Sequence, residues 1–371
     1  MIRNPRAAVL LFIPLVLFTT HNACGSGPPT FYIETAVAVT GAAPSIAIDD
    51  FGRPWIGYWT RETTSKGTIR FGVRTAGTWD FETVPIQIQV PTDIIIDSFG
   101  SPAVGYSDGL TLRYLYKSGG MWTSESIGGL GPNAGALAAD PHGLPCAVYV
   151  WSYHYIGYIS ISYRDFADWV QFCQHEEYDW FNPPWARIDM VVDQNRLVHI
   201  CVNPIWDQYY YIRGCRLETL PSNLGSNFSI AASSIGWPMI SYTSGGKLWI
   251  ITKSADDWIT SFVADVETCG YTEIAFDIHD KPHIAYCDES GGVNKIMYAA
   301  TESPLGPWEI FEIDEGRAVS MALDSSGDPH IAYITRVHNP PGWDLKYAST
   351  SPSTPIRMKS WGGVKSLLKD K

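Results

Sequence analysis

Residues suited to chemistry gather first in three stretches near the middle of the chain. WSYHYIG (151–157), HEEYDWFNPPWAR (175–187) and NPIWDQYY (203–210) bring Tyr153, His154, Tyr155, Tyr178, Trp180, Trp185, Trp206 and Tyr209 together with Glu176, Glu177, Asp179 and Asp207. Aromatic faces stack on sugar rings or apolar peptide side chains, and carboxylates accept hydrogen bonds from hydroxyls, so the mixture suits a carbohydrate or peptide site. The same rings could equally be struts that pack long loops down. A hydrolase needs two carboxylates at a set separation; these acids supply the residue types but not the spacing. Nucleophile motifs such as G-x-S-x-G do not occur.

These stretches interrupt a repeat. Aligned on the Asp of a turn, seven copies of one hairpin read SIAIDDFGRPWIGY (45–58), DIIIDSFGSPAVGY (93–106), ALAADPHGLPCAVY (136–149), DMVVDQNRLVHICV (189–202), SIAASSIGWPMISY (229–242), EIAFDIHDKPHIAY (273–286) and SMALDSSGDPHIAY (320–333). The turn residues Asp49, Asp97, Asp140, Asp193, Ser233, Asp277 and Asp324 recur every 40 to 53 positions, the length of a four-stranded propeller blade. The Asp can accept backbone N–H bonds across the turn, and a Gly three positions on takes the left-handed conformation. Pro then opens strand B, where a missing donor is tolerated. Alternation puts Ile56, Ile240, Ile284 and Ile331 on one face and Gly57, Ser241, Ala285 and Ala332 on the other. A C strand follows, and an outer strand begins at Trp79, Trp122, Trp169, Trp258 and Trp308, with no such Trp in the fourth unit.

The seventh unit stops after its third strand, DLKYAST (344–350), while FYIETAV (31–37) resembles the outer strand WDFETV (79–84). The expected fold is therefore all-β: one seven-bladed β-propeller of four-stranded blades over residues 31–350, with the N-terminal strand closing the last blade and hiding two sheet edges. In such a ring the D-to-A and B-to-C connections share one face, where the aromatic stretches of units 3 and 4 would meet. The residues opening the A strands are Ser45, Asp93, Ala136, Asp189, Ser229, Glu273 and Ser320, so Asp93, Asp189 and Glu273 are expected at the channel mouth. Calcium is the one cofactor such acids suggest. The ring reads as too wide for them to share an ion, so no metal is expected and the acids hydrate the channel. His199, His283 and His330 share one column and read as hydrogen-bonded repeat residues near the turns.

Composition agrees with this architecture and narrows the partners. The 371 residues hold 15 Trp, 20 Tyr, 14 Phe, 33 Gly and 25 Pro with only 17% charged residues, which suits short strands and tight turns and excludes disorder or coiled coil. Net charge is −12, and residues 24–356 alone carry 19 basic and 37 acidic side chains. Nucleic acid and anionic membrane surfaces call for the opposite sign.

Residues 1–23 read as a signal peptide, with Arg3 and Arg6 before the apolar run Ala7–Phe18, too short to span a bilayer. Cys24 after Ala23 resembles a bacterial lipoprotein cleavage site, which implies lipidation of Cys24 and a tether over 24–30; simple secretion is the alternative. Residues 351–371 form a linker and a basic amphipathic tail with Trp361, Val364, Leu367 and Leu368 at helical spacing. Its W-G-x-V-K core resembles C-terminal tails of some secreted bacterial proteins, which implies sorting or surface attachment; packing on the propeller is the other reading.

Six further cysteines, in an oxidising compartment, allow disulfides. Antiparallel pairing puts Cys287 opposite a residue near 272, with Cys269 just before it, so a Cys269–Cys287 bridge is expected. Pairings among Cys146, Cys173, Cys201 and Cys215 stay open, and Cys146 and Cys201 read equally well as buried thiols.

The motif A-x-D-x-x-G-x-P-H-I-A-Y, with L-K-Y-A and the later Trp, resembles a repeat of secreted bacterial propellers and is similar to sialidase-like (BNR-type) propellers and seven-bladed propeller lectins. None of the seven turns has the Thr-Trp ending of a sialidase S-x-D-x-G-x-T-W box, and the F/Y-R-I-P signature is absent. The combined reading is an exported, non-catalytic binding module for a glycan or cell-envelope component, a monomer placed in the periplasm or on the cell surface, touching membrane only through a lipid anchor. A sialidase-like hydrolase or lyase and a structural scaffold of the envelope are the alternatives.

Overall fold

The seven hairpins form the inner strands of seven four-stranded antiparallel sheets, arranged as a β-propeller. The computed structural model describes residues 29–350 except 40–42, 62–66, 89–90, 129–133, 154–155, 166–167, 179–186, 206–207, 222–223, 226, 255–256, 304 and 339–340. The expected signal peptide, Cys24 and the tail lie outside the described residues. In blade 1, strands A to D are Pro44–Ile48, Pro54–Arg61, Gly67–Thr75 and Thr78–Ile88. The A strands of blades 2 to 7 are Pro91–Ile96, Ala134–Ala139, Arg187–Val192, Phe228–Ala232, Thr268–Phe276 and Arg317–Leu323. Each packs against the next around the ring, blade 7 against blade 1. Blade 7 takes its D strand from the N-terminus: Tyr32–Val39 pairs with Pro341–Ser349, Tyr32 opposite Ser349 and Val39 opposite Trp343.

The turn column does what its residue types suggest. Asp49 Oδ1 accepts from the backbone N–H of Phe51 and Arg53 at 3.0 and 2.9 Å. Asp193 Oδ1 does the same with Asn195 and Leu197, both at 2.8 Å. The pattern recurs at Asp97, Asp140, Asp277 and Asp324. Gly52, Gly100, Gly143, Gly236 and Gly327 take φ between 70° and 86°, and Arg196 and Asp280 fill the same place at 64° and 58°. The histidines complete the turns. His199 contacts Asp193 Oδ2 with Nε2 at 3.2 Å and the Tyr211 hydroxyl with Nδ1 at 2.6 Å. His330 repeats this with Asp324 and Tyr347, and His283 pairs with Tyr298. A neutral ring that donates from Nε2 and accepts at Nδ1 satisfies both partners, and burial holds all three imidazoles below the ordinary value.

Neighbouring blades are clasped at their outer strands. Glu34 of blade 7 takes Arg74 at 2.6 Å and the Trp79 indole N–H at 2.7 Å, both from blade 1. Glu125 takes Arg164 and Trp169 in the same way, while Glu82 pairs with Lys117 and Glu218 with Lys253. By register these glutamates oppose Tyr347, Tyr114, Phe71 and Tyr211 on their C strands. Between blades 3 and 4 the equivalent position, opposite Ile161, is Cys173, which forms a disulfide with Cys215. A covalent bridge thus stands where blade 4 lacks the outer Trp, and a chain separation of 42 makes it worth about 4 kcal/mol in the chain-entropy model.

Inside the ring, Ile56, Ile240, Ile284 and Ile331 are fully buried. A Cβ on Gly57 would come 3.3 Å from the Phe71 ring and 3.6 Å from Ile94 of the next blade, so the small-residue face does permit close approach. Cys146 and Cys201 are buried free thiols, and burial pushes the Cys146 thiol up to about 12.

Candidate functional site

The openers of the A strands do two different jobs. Four of them hold the next blade. The Ser45 hydroxyl accepts the Ile94 N–H at 2.9 Å, Asp189 Oδ2 the Ile230 N–H at 2.7 Å, Ser229 the Ile274 N–H at 3.3 Å and Ser320 the Ile46 N–H at 3.2 Å. Register sets these positions opposite small residues, Ser45 against Gly57 and Glu273 against Ala285, which leaves room at the axis. Asp93, Asp189 and Glu273 then line one cavity of about 180 Å³ together with Arg187, Ser229, Thr272 and Ser320.

The three acids, expected only to hydrate the channel, also act on one another electrostatically. Burial raises all three carboxyls, and they act on one another across the cavity. Asp189 is pushed up to about 6 by burial and then by the charge of Asp93. Glu273 is raised well above the usual range by burial, then by Asp93 and Asp189. Asp93 is raised by burial, with Arg187 and the Ser45 hydroxyl working the other way. Asp93 is open to the channel yet deep within the ring; it has the accessibility of a surface group and the desolvation of an interior one. Ser229 hydrogen-bonds to both Asp189 and Glu273, and Arg187 is held by Asn227. Among the described residues no three His, Cys, Asp or Glu side chains form a metal-ligand group. The arrangement offers carboxyls with raised proton affinity beside one arginine.

The aromatic stretches require a second correction. Residues 151–157 and 203–210 are mostly strand: blade 3 runs Pro145–Tyr153 into Ile156–Arg164, and blade 4 runs Val198–Ile205 into Gln208–Arg213. Glu176, Glu177 and Tyr178 end the outer strand Trp169–Tyr178, where Glu176 is exposed opposite Tyr158. Tyr209 is a core residue; its hydroxyl donates to the Gly225 carbonyl at 2.5 Å and its ring meets Phe228 edge-on. Both faces of Gln208–Arg213 are buried, Tyr209 and Tyr211 on one and Tyr210 and Ile212 on the other, whereas the sequence suggested a loop tip. His154, Tyr155, Asp179, Trp180, Trp185, Trp206 and Asp207 lie outside the described residues, as do the side chains of Tyr153, Glu177 and Tyr178. Residues 179–186 lead directly into Arg187, so the aromatic stretch and the channel mouth are continuous in the chain.

Sequence reasoning missed Arg187. The signal was present: it is the only charged residue in the two positions ahead of any of the seven openers.

No protein-family model matches the chain, and no curated protein matches it in sequence. Solved structures do resemble it. The polysaccharide lyase Uly1 aligns at a TM-score of 0.54 and 6% identity over 82% of this chain and 88% of its own. BBS1N in complex with ARL6DN aligns at 0.54 and 9%, over 88% and 97%. The Aleuria aurantia lectin in complex with Fucα1-6GlcNAc aligns at 0.50 and 11%, over 75% and 98%. At these identities the likeness is one of fold.

Proposed function

We propose that the protein is an exported carbohydrate-binding module whose ligand face is the channel mouth and the aromatic stretch leading into it. The observation that carries this reading is the cavity lined by Asp93, Asp189, Glu273 and Arg187. At roughly 30 Å³ per water, 180 Å³ holds about six waters, the scale of a single sugar ring. Carboxyls raised above their ordinary range keep a proton to higher pH than usual and can donate to one hydroxyl while ionised neighbours accept from another, and Arg187 fits an acidic substituent. Trp180 and Trp185 would supply the stacking face. The lectin and lyase among the fold's relatives support a saccharide ligand. A glycan array followed by titration calorimetry tests the reading, with Asp93→Asn, Glu273→Gln, Trp180→Ala, Trp185→Ala and Trp206→Ala as variants. Binding that is lost in the carboxyl variants supports it; no binding to any glycan or cell-wall fraction overturns it. Metabolic labelling with a fatty acid, lost in Cys24→Ala, tests the proposed anchor.

A second reading, a glycoside hydrolase or lyase, is favoured by the same carboxyls. A general acid must hold its proton near neutral pH beside an ionised partner, and mutually repelling buried acids achieve this. Release of reducing ends or unsaturated products from a bound glycan would support it, and binding without turnover would exclude it.

A further inference from the structure

The two faces of the ring differ in what they show to solvent. Strands A and C run away from the channel-mouth face and B and D run back, so the A-to-B and C-to-D turns share the opposite face. Nine described large hydrophobic side chains are at least half exposed, between 50% and 78%, and eight of them lie on this turn face. Phe51, Phe99 and Ile235 occupy one position, two residues past the turn Asp or Ser, in blades 1, 2 and 5. Ile278 and Trp237 flank that position in blades 6 and 5; Tyr32, Met121 and Leu305 lie at the starts of D strands or the turn before one. The exception, Leu110, is in a B-to-C connection on the other face. Behind the turn tips the axial channel is aliphatic, a space of about 510 Å³ lined by residues such as Ile48, Ile96, Val192 and Leu323.

Both ends of the propeller also leave from this face. Tyr32, the first residue of the closing strand, pairs with Ser349, the last residue of its partner, and both stand at the turn end of blade 7. The 31 residues before Tyr32 include an apolar run and Cys24, and the chain after Ser349 continues into a basic, amphipathic sequence.

We infer that the turn face lies on a lipid bilayer, with the apolar turn tips set into its interface and the channel mouth directed away. Equivalent positions in a repeat stand at one height, so Phe51, Phe99 and Ile235 reach one plane together. Single aromatic and aliphatic side chains separated around a rim suit the headgroup boundary of a bilayer better than the continuous patch of a protein interface. The acidic body disfavours anionic lipid, so the surface is zwitterionic and the attachment apolar. The few residues from Cys24 to Tyr32 can span about 29 Å at most, and Tyr32 stands at this face.

Because all seven blades lie within 31–350, the chain from residue 25 onward isolates the face from any anchor. Flotation of that chain with phosphatidylcholine–phosphatidylethanolamine vesicles is expected to show salt-insensitive binding. A triple variant Phe51→Ser, Phe99→Ser, Ile235→Ser should weaken it by more than about tenfold, while Leu110→Ser and removal of residues 351–371 leave it in place; exposed positions let all variants fold, which circular dichroism checks. Equal binding of the triple variant, binding lost with the tail alone, or no flotation with dimerisation abolished by the triple variant would each overturn the inference. Glycan binding is read separately, so failure here does not bear on the proposed ligand face.

Discussion

Blade 4 carries two aspartates four residues apart whose surroundings are opposite. Burial works against ionisation at Asp193 as it does at Asp189, but the backbone N–H groups of Leu197 and Asn195 and the His199 ring outweigh it and hold Asp193 below the usual carboxylate range. Asp189 receives only the N–H groups of Ile230 and Met190 and the Ser229 hydroxyl, and it faces Asp93; it rises to about 6. A repeat scaffold satisfies its structural carboxylates from its own backbone. A carboxyl whose donors do not outweigh its burial and a like-charged neighbour, beside a cavity, is poised to meet a ligand.

The largest effect that sharpens this contrast is on stability. Asp193→Ala would strand two backbone donors and the Nε2 of a fully buried imidazole, and chemical denaturation should show a loss of about 4 kcal/mol. Asp189→Ala gives up as many donors but also relieves a desolvated charge that faces Asp93, so its cost should be clearly smaller. Equal losses at the two positions would erase the distinction.

How far the sequence foretold each region follows from the same chemistry. The ring, its closure by residues 31–37 and the Asp-capped turns were readable because every copy repeats a local hydrogen-bond solution, so seven copies test one reading. Arg187 and the convergence of Asp93, Asp189 and Glu273 depend on distances across the axis, which no spacing along one chain encodes. Tyr209 misled because an aromatic next to Trp206 and Asp207 looks like a loop tip until the strand register is known. The Cys173–Cys215 bridge was hidden for the same reason: it joins two blades at a place where the outer-strand pattern is missing.

The next effect concerns the strand that holds Glu273. Cys287 is disulfide-bonded, and Thr268 sits opposite Asp288 in the register, so the backbone brings position 269 beside position 287. We propose Cys269 as the partner. A loop of this size is worth about 3 kcal/mol in the chain-entropy model, and Cys269→Ser should lower stability by up to that amount while loosening ligand binding at Glu273. Peptide mapping without reduction should recover the two cysteines in one linked pair, and separate alkylated peptides from oxidised protein would end the idea.

Ligand affinity should respond more modestly. Asp189→Asn keeps an oxygen for Ile230 and removes the coupling to Asp93; if the channel mouth is the ligand face, calorimetry should show roughly tenfold to hundredfold weaker binding, about 1.4 to 2.7 kcal/mol. Asp277→Asn, on the other face, should leave affinity unchanged. Loss of binding in both would point to a global defect instead of a site.

The smallest expected effect is the most specific to the comparison, because raised acids and lowered histidines have opposite pH signatures. A carboxyl whose folded value is raised binds its proton more tightly in the folded chain, so its contribution is greatest at low pH and is lost as pH rises from the ordinary 3.8 through about 6 for Asp189. A histidine whose folded value is lowered by burial, such as His199, favours folding above the ordinary 6.5 and loses that contribution as pH falls below it. Between about pH 4 and 6.5 the two slopes oppose each other, and the wild-type protein should show a shallow stability profile. Asp189→Asn removes the first slope and leaves the second, so acidification from pH 7 to 5 should destabilise this variant by about 1 kcal/mol more than wild type. His199 keeps its Tyr211 hydrogen bond, which gives the assignment a local readout: in both proteins its ring resonances should show protonation only below the ordinary histidine range. Parallel stability profiles for wild type and Asp189→Asn would mean that Asp189 ionises normally, and the difference between the two aspartates of blade 4 would collapse.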